Sequence, residues 1–281
     1  MINLNGQLLP QNNASISVNN RGFAYGDAVF ETLRVINGKI IFWEDHYFRL
    51  MSSLRIMRME IPLSFSPEFL EKEIRDLVSA NQLENAPVRV RLTFYREEGG
   101  FYTPQTNDVG YCFTCQVLSS PFYLLNDSFY EVELYKDHYL PSGLLSTLKT
   151  NNRALNVLGS IYAKENDYQN CLLLNENKNV VEALNGNLFL VVGDTIKTPP
   201  LSEGCLKGIT RGKVLEILSQ LKDFTVKEEP ISPFELQKAD ELFVTNVIMG
   251  IQPISRYRKK EYSSTVAKEL LAKLNVKVRL G

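Results

Sequence analysis

Val88-Arg89-Val90-Arg91-Leu92-Thr93-Phe94 alternates apolar and polar residues without a break, which predicts a β-strand with one buried and one basic face. Its surroundings decide the class of fold. Upstream, Tyr47, Leu50, Met51, Leu54 and Met57 recur at helical spacing from Asp45 on. A second helix follows Ser66-Pro67, with Leu70, Ile74, Leu77 and Val78 inward. Earlier still, Asn5-Gly6 and Asn37-Gly38 lie between apolar stretches and carry the chemistry of tight hairpin turns. Downstream, Gly110 to Leu118 reads as a neighbouring strand. Strands and helices that alternate irregularly, with hairpins, fit a mixed α+β plan better than a parallel doubly wound sheet.

Between Ser119 and Asp127 the pattern breaks around Pro121. Residues 119–127 are therefore the predicted linker between an N-terminal α/β domain, 1–118, and a C-terminal domain, 128–281. Beyond it the spacing predicts a strand over 130–135, a helix over 152–166, and strands over 171–174, 180–184 and 188–192. Gly193-Asp194 is a further hairpin turn, Thr210 opens a helix, and Ser232-Pro233-Phe234-Glu235 is a capping-box signature. Val266, Leu270, Leu271 and Leu274 mark the last helix.

With 31 basic and 32 acidic residues the chain has a net charge of −1, which gives no field to attract nucleic acid or an anionic membrane. The expected partners are small molecules and other copies of the chain. Cys112, Cys115, Cys171 and Cys205 form no dense framework, the N-terminus lacks a signal-like segment, and no apolar run approaches the ~20 residues of a membrane span. The expectation is a reduced, soluble, cytoplasmic protein.

Three groups carry the chemistry. Lys149, in Leu148-Lys149-Thr150-Asn151-Asn152-Arg153, offers an amine between apolar neighbours. Glu182 interrupts an otherwise apolar strand, where a buried carboxylate needs a partner such as a protonated pyridine nitrogen. Gly208-Ile209-Thr210 precedes an amphipathic helix, so free amides, the helix dipole and a hydroxyl converge where a phosphate can bind. Together they are the groups needed to hold pyridoxal phosphate, and Arg49 could add a charge-assisted phosphate contact. Cys112 and Cys115 have metal-like spacing but point to opposite faces of a strand, so zinc is rejected. His46 and His138 have no ligand cluster and receive no catalytic role.

These residues fall into a pattern that resembles the fold-type IV pyridoxal-phosphate enzymes, or class-IV aminotransferases. Arg21-Gly22-Phe23-Ala24-Tyr25-Gly26-Asp27-Ala28-Val29-Phe30-Glu31-Thr32 looks like the family's N-terminal signature, and His46 to Leu50 like its H-x-x-R-L helix. Glu182 to Phe189 matches E-x-x-x-x-N-x-F, Lys207 to Arg211 matches K-G-I-T-R, and Asp240 to Thr245 resembles the segment before the last active-site loop. The resemblance spans nearly the whole chain.

It implies a smaller N-terminal α/β domain, a larger barrel-like C-terminal domain, a site between them, and a homodimer. It implies that Lys149 forms the Schiff base and shuttles the Cα proton of a small amino substrate, while Glu182 pairs with the ring nitrogen. Arg49, Ile209 and Thr210 would hold the phosphate, and Asn246 and Val247 would lie on the loop touching phosphate and substrate. Phe30 and Arg96 would line the substrate side, with Phe101 and Arg153 shaping it. The implied reaction is transamination between an amino acid and a 2-oxoacid. The alternative within the family is 4-amino-4-deoxychorismate lyase, toward which Val244-Thr245-Asn246 and Asn152-Arg153 lean and against which Phe101 stands. A module that only binds pyridoxal phosphate is the non-enzymatic alternative.

Overall fold

In the computed structural model, which describes residues 1–126 and 128–280, both predicted Asn-Gly turns form. All four of their residues take positive φ, between 49° and 84°. The turns join β1 (Ile2–Leu4) to β2 (Gln7–Leu9) and β3 (Ala28–Ile36) to β4 (Lys39–Ile40). Asp127 of the predicted linker and Gly281, the last residue of the predicted second domain, lie outside the described residues. The chain divides into two compact units. One comprises Met1–Pro121 with Lys149–Asn152, the other Phe122–Leu148 with Arg153–Gly281.

In the first unit a short helix, α1 (Arg21–Tyr25), precedes β3, and α2 (Trp43–Ile56) and α3 (Pro67–Ala80) follow β4. The helix α3 starts as its sequence predicts: Ser66 accepts the Phe69 N–H at 3.2 Å and Pro67 occupies the first turn. With β5 (Val88–Arg96) and β6 (Val109–Val117) the strands form an antiparallel sheet in the order β2-β1-β6-β5-β3-β4. Along β5, Val88, Val90, Leu92 and Phe94 are fully buried among Leu33 of β3, Leu50 and Leu54 of α2, and Leu70, Ile74 and Leu77 of α3. Truncating any of these leucines to alanine costs about 2–5 kcal/mol. The helix α1 lacks an apolar period because it has only five residues. It is made instead by its ends, with the Asn20 side chain accepting the Phe23 N–H at 3.0 Å and Gly26 closing it at φ 65°.

The second unit contains β7 (Glu131–Tyr135), α4 (Ala154–Glu165), β8 (Asn170–Leu174), β9 (Val180–Ala183), β10 (Gly186–Val192) and β11 (Thr195–Thr198). It continues with α5 (Ile209–Leu218), β12 (Thr225–Glu228), α6 (Pro233–Leu236), β13 (Glu241–Asn246), β14 (Gly250–Ile254), β15 (Arg256–Tyr257), β16 (Lys260–Glu261) and α7 (Thr265–Leu280). The predicted capping box is present at α6. The sheet is mixed, with parallel pairs β7/β8, β7/β15 and β11/β12. Its centre is β10, which pairs with β9, β11 and β13. The core includes Val132, Leu172, Val180, Leu188, Leu242 and Ile254, all without exposure.

Candidate active site

Lys149 lies on a four-residue segment that pairs with the free edge of β3. Phe30 N–H donates to Lys149 O at 2.8 Å, Asn151 N–H donates to Ala28 O at 2.9 Å, and Val29 and Thr150 form an antiparallel bridge between them. Asn152 fixes the end of the segment against Gly26, where an added Cβ would lie 2.3 Å from the Asn152 Oδ1. The left-handed φ and this close approach both require glycine there. Lys149 Nζ stands 4.4 Å from the centre of the Phe30 ring, and the Arg91 guanidinium stands 3.8 Å from the same centre. Arg91 Nη2 also donates to Asn151 Oδ1 at 3.2 Å.

Behind Phe30, on the opposite face of β3, Glu31 gathers two partners from α2. Arg49 grips it with Nε at 2.7 Å from Oε1 and Nη2 at 2.6 Å from Oε2, and His46 Nδ1 lies 2.7 Å from Oε2. Glu31 and His46 are buried, and the Arg49 side chain is only 10 % exposed. Burial raises the Glu31 pKa, but the Arg49 charge and the hydrogen bonds from Arg49 and His46 outweigh it and bring it down from 4.5 to about 2. Burial, with further repulsion from Arg49 and Lys149, lowers the pKa of His46 despite its bond to Glu31. Neutral His46 then donates its Nδ1 proton to the carboxylate. Arg49 is thus a largely buried, oriented cation and not an exposed helical arginine. The pairing of Glu31 with His46 does not show in the sequence because it spans fifteen residues and two elements; the helical spacing of His46 and Arg49 is the one available signal.

The second unit holds Glu182 on β9. It pairs across the sheet with Asn187 of β10, which pairs with Thr245 of β13, so the three side chains form a row on one face. Glu182 is 5 % exposed and accepts the Leu206 N–H at Oε2, 2.9 Å away. Asn187 Nδ2 donates to the Leu206 carbonyl at 2.8 Å. Two residues on, Gly208 precedes α5, whose first internal bond runs from Gly212 N–H to Gly208 O at 3.0 Å, so the amides before Gly212 have no partner within the helix. The Thr210 hydroxyl is buried and has no hydrogen-bond partner among the described residues. A buried carboxylate and an unsatisfied hydroxyl at a helix start are the chemistry that a protonated pyridine nitrogen and a phosphate would complete.

The family model of amino-transferase class IV matches residues 28–257, most of the chain. The chain belongs to the class IV amino-transferase family. A putative branched-chain-amino-acid aminotransferase of Methanocaldococcus jannaschii is 29 % identical over 279 residues, covering 99 % of this chain and 95 % of that protein. A D-alanine aminotransferase of Staphylococcus haemolyticus is 25 % identical, covering 89 % and 86 %. Among solved structures, a branched-chain amino acid aminotransferase complexed with N-(5'-phosphopyridoxyl)-L-glutamate superposes with a TM-score of 0.87 at 25 % identity, covering 99 % of this chain and 94 % of that one. The 4-amino-4-deoxychorismate lyase of Pseudomonas aeruginosa shares the fold, with a TM-score of 0.83 at 24 % identity over 98 % of each chain. The protein is an enzyme of aminotransferase type with the fold-type IV architecture.

Within this class IV enzyme several expected site residues have other work. Arg96, expected on the substrate side, forms a clamp in the first unit. Its Nε and Nη2 bind Asp27 at 2.9 and 3.4 Å, Nη2 also donates to Met57 O at 2.7 Å, and Nη1 donates to Asn107 Oδ1 at 2.6 Å and Arg58 O at 3.1 Å. These contacts occupy all five donors of its guanidinium. Phe101 is 85 % exposed, while Arg21 holds its carbonyl at 2.6 Å. Arg153 reaches back to Leu148 O at 2.9 Å, within the loop that carries Lys149. Asn246 spends its amide on a turn, donating to Asn185 O at 3.0 Å and accepting from the Ile248 and Met249 amides at 2.9 and 2.8 Å. Val247 accepts the Tyr123 hydroxyl at its carbonyl, 2.9 Å away. Arg91, which packs on the same Phe30 ring as Lys149, lies on the basic face of β5 that the sequence shows but is not singled out by any motif.

Proposed function

We propose that this class IV enzyme transfers the amino group of a small amino acid to a 2-oxoacid using pyridoxal phosphate, with Lys149 as the residue that binds the cofactor covalently. The observation that carries the reading is the edge-paired Lys149, its amine fixed beside Phe30 while its backbone is tied to β3. In this reading Glu182 would pair with the ring nitrogen, Ile209 and Thr210 would hold the phosphate, and Arg49 would add a charge-assisted contact to it. The unsatisfied Thr210 hydroxyl and the Glu31-oriented Arg49 support that assignment. The loop of Asn246 and Val247 would border the same ligands through its backbone.

When bound, pyridoxal phosphate supplies the electron sink for the pair left at the substrate Cα. Lys149 Nζ would take the proton from the substrate Cα and hold it for delivery to the cofactor carbon on the far side of the amino nitrogen. The Phe30 ring keeps water from one side of that amine. Arg91, on the other contact of the Phe30 ring, is the guanidinium suited to a substrate carboxylate. Glu182, fixed by the Leu206 amide, would serve as the partner of the ring nitrogen. The proposed enzyme is a cytoplasmic homodimer. Its association is supported by Val157, Leu158 and Ile161 of α4 and by Leu144 and Leu145, all of them exposed apolar side chains. No helix among the described residues is long and apolar enough to cross a membrane.

The test offers the purified protein L-branched-chain amino acids, D-alanine and 2-oxoacids, and in parallel aminodeoxychorismate. Amino transfer is the expected result. Formation of pyruvate and p-aminobenzoate with no amino transfer would replace the reading with the lyase.

A further inference from the structure

We propose that Asn187 is a positioning residue that sets the phosphate-binding turn at a fixed distance from Glu182. This rests on the pyridoxal-phosphate reading above and deepens it. Leu206 is held at both polar ends of its own backbone by neighbours on one cross-strand row. Its N–H goes to Glu182 at 2.9 Å, and its carbonyl receives Asn187 Nδ2 at 2.8 Å. Both side chains are at least nine-tenths buried, so neither bond is exchanged for water.

The other end of the Asn187 amide sets the next step of the turn. A Cβ built on Gly208 would lie 2.0 Å from Asn187 Oδ1, so the Gly208 backbone rests directly on that oxygen. The Leu206 carbonyl also accepts the Gly208 N–H at 2.8 Å, which folds the chain tightly before α5 begins. One buried amide therefore fixes Leu206 and seats Gly208. The carboxylate for the ring nitrogen and the helix start for the phosphate become parts of one rigid piece. Asn187 touches neither cofactor nor substrate; it acts through the turn.

The experiment titrates apo-protein with pyridoxal phosphate and with pyridoxal, which lacks the phosphate, and follows the visible absorbance and the melting temperature of each apo-protein. For Asn187→Ala and Asn187→Asp the expected result is a pyridoxal-phosphate affinity lower by roughly 10–100-fold, the range for a lost buried hydrogen bond and its stranded partner. Pyridoxal affinity should move by less than about threefold by the same argument, since no phosphate contact is at stake. Gly208→Ala should weaken pyridoxal phosphate alone in the parent protein and much less in the Asn187→Ala background, where the clashing oxygen is gone. That non-additivity keeps the proposal testable even where Asn187→Ala lowers the melting temperature. Should Asn187→Ala fail to fold, Asn187→Asp and Gly208→Ala decide. Variants that melt earlier but keep the parent's preference for the phosphorylated form would overturn the role of Asn187. A parent protein that binds pyridoxal as tightly as pyridoxal phosphate would instead overturn the phosphate assignment itself.

Discussion

The first unit builds its candidate residues around side-chain charge, whereas the second builds them around backbone hydrogen bonds. On β3, Glu31 is satisfied by two side chains, Arg49 and His46, in a buried ionic cluster. On β9, Glu182 accepts a backbone amide, and its row neighbour Asn187 donates to the carbonyl of that same residue. An ionic cluster orients a cation but depends on pH. A clamp on a backbone amide and carbonyl fixes a turn. The contrast suits what each unit is proposed to supply, a cation and a reactive amine from one, a rigid anion-binding turn from the other.

The largest effect tests the first unit's chemistry. Lys149→Ala is expected to lower amino transfer by at least about 10³-fold, since proton transfer alone contributes on the order of 10²–10⁴. Rates of coupled amino transfer check it, and the half-buried side chain implies a stability change below about 1 kcal/mol. Next, Glu31→Ala strands Arg49 and His46 in the interior. Chemical denaturation should show a loss of about 3–5 kcal/mol, as for other broken buried ion pairs.

The same cluster predicts the pH response. Glu31 has its folded pKa depressed to about 2 from 4.5, so its contribution of about 3 kcal/mol is complete above pH 4.5 and is lost as pH falls toward 2. His46 also has a lowered folded pKa, so the unfolded chain takes up that proton first and stability begins to fall below about pH 6.5. Denaturation midpoints measured from about pH 7 down to about pH 3 should decline in both ranges, and Glu31→Gln should remove the more acidic decline.

Smaller effects are expected at Arg96 and Phe101. Arg96→Lys cannot reproduce five directed donors, so stability should drop by about 2–4 kcal/mol while KM for the amino substrate stays within about twofold. Phe101→Ala should leave stability within about 0.5 kcal/mol and the rates unchanged, as for an exposed side chain.

What was legible in the sequence was local. Alternation at Val88–Phe94, the Asn-Gly turns and the Ser66-Pro67 cap depend on residues a few positions apart, and each formed as read. The helix α1 did not show, because its two caps make it and its five residues carry no period. The return of Lys149–Asn152 to the edge of β3 was invisible too, since it pairs residues more than a hundred positions apart. The motif residues Lys149, Glu182 and Thr210 carried chemical identity, but the choice between a clamp and a ligand lies in tertiary contacts. Arg96 looked available until Asp27, Met57, Arg58 and Asn107 converged on it, and Arg91, on the same strand, looked like ordinary strand surface.

Lys149 is the centre of the proposed chemistry, and chemical trapping tests it most directly. Cofactor-loaded protein is reduced with borohydride, digested, and mapped by mass spectrometry. The predicted result is a phosphopyridoxyl mass on the peptide containing Lys149 and on no other lysine. A stable adduct on a different lysine, or bound cofactor that never becomes covalently attached, would contradict it.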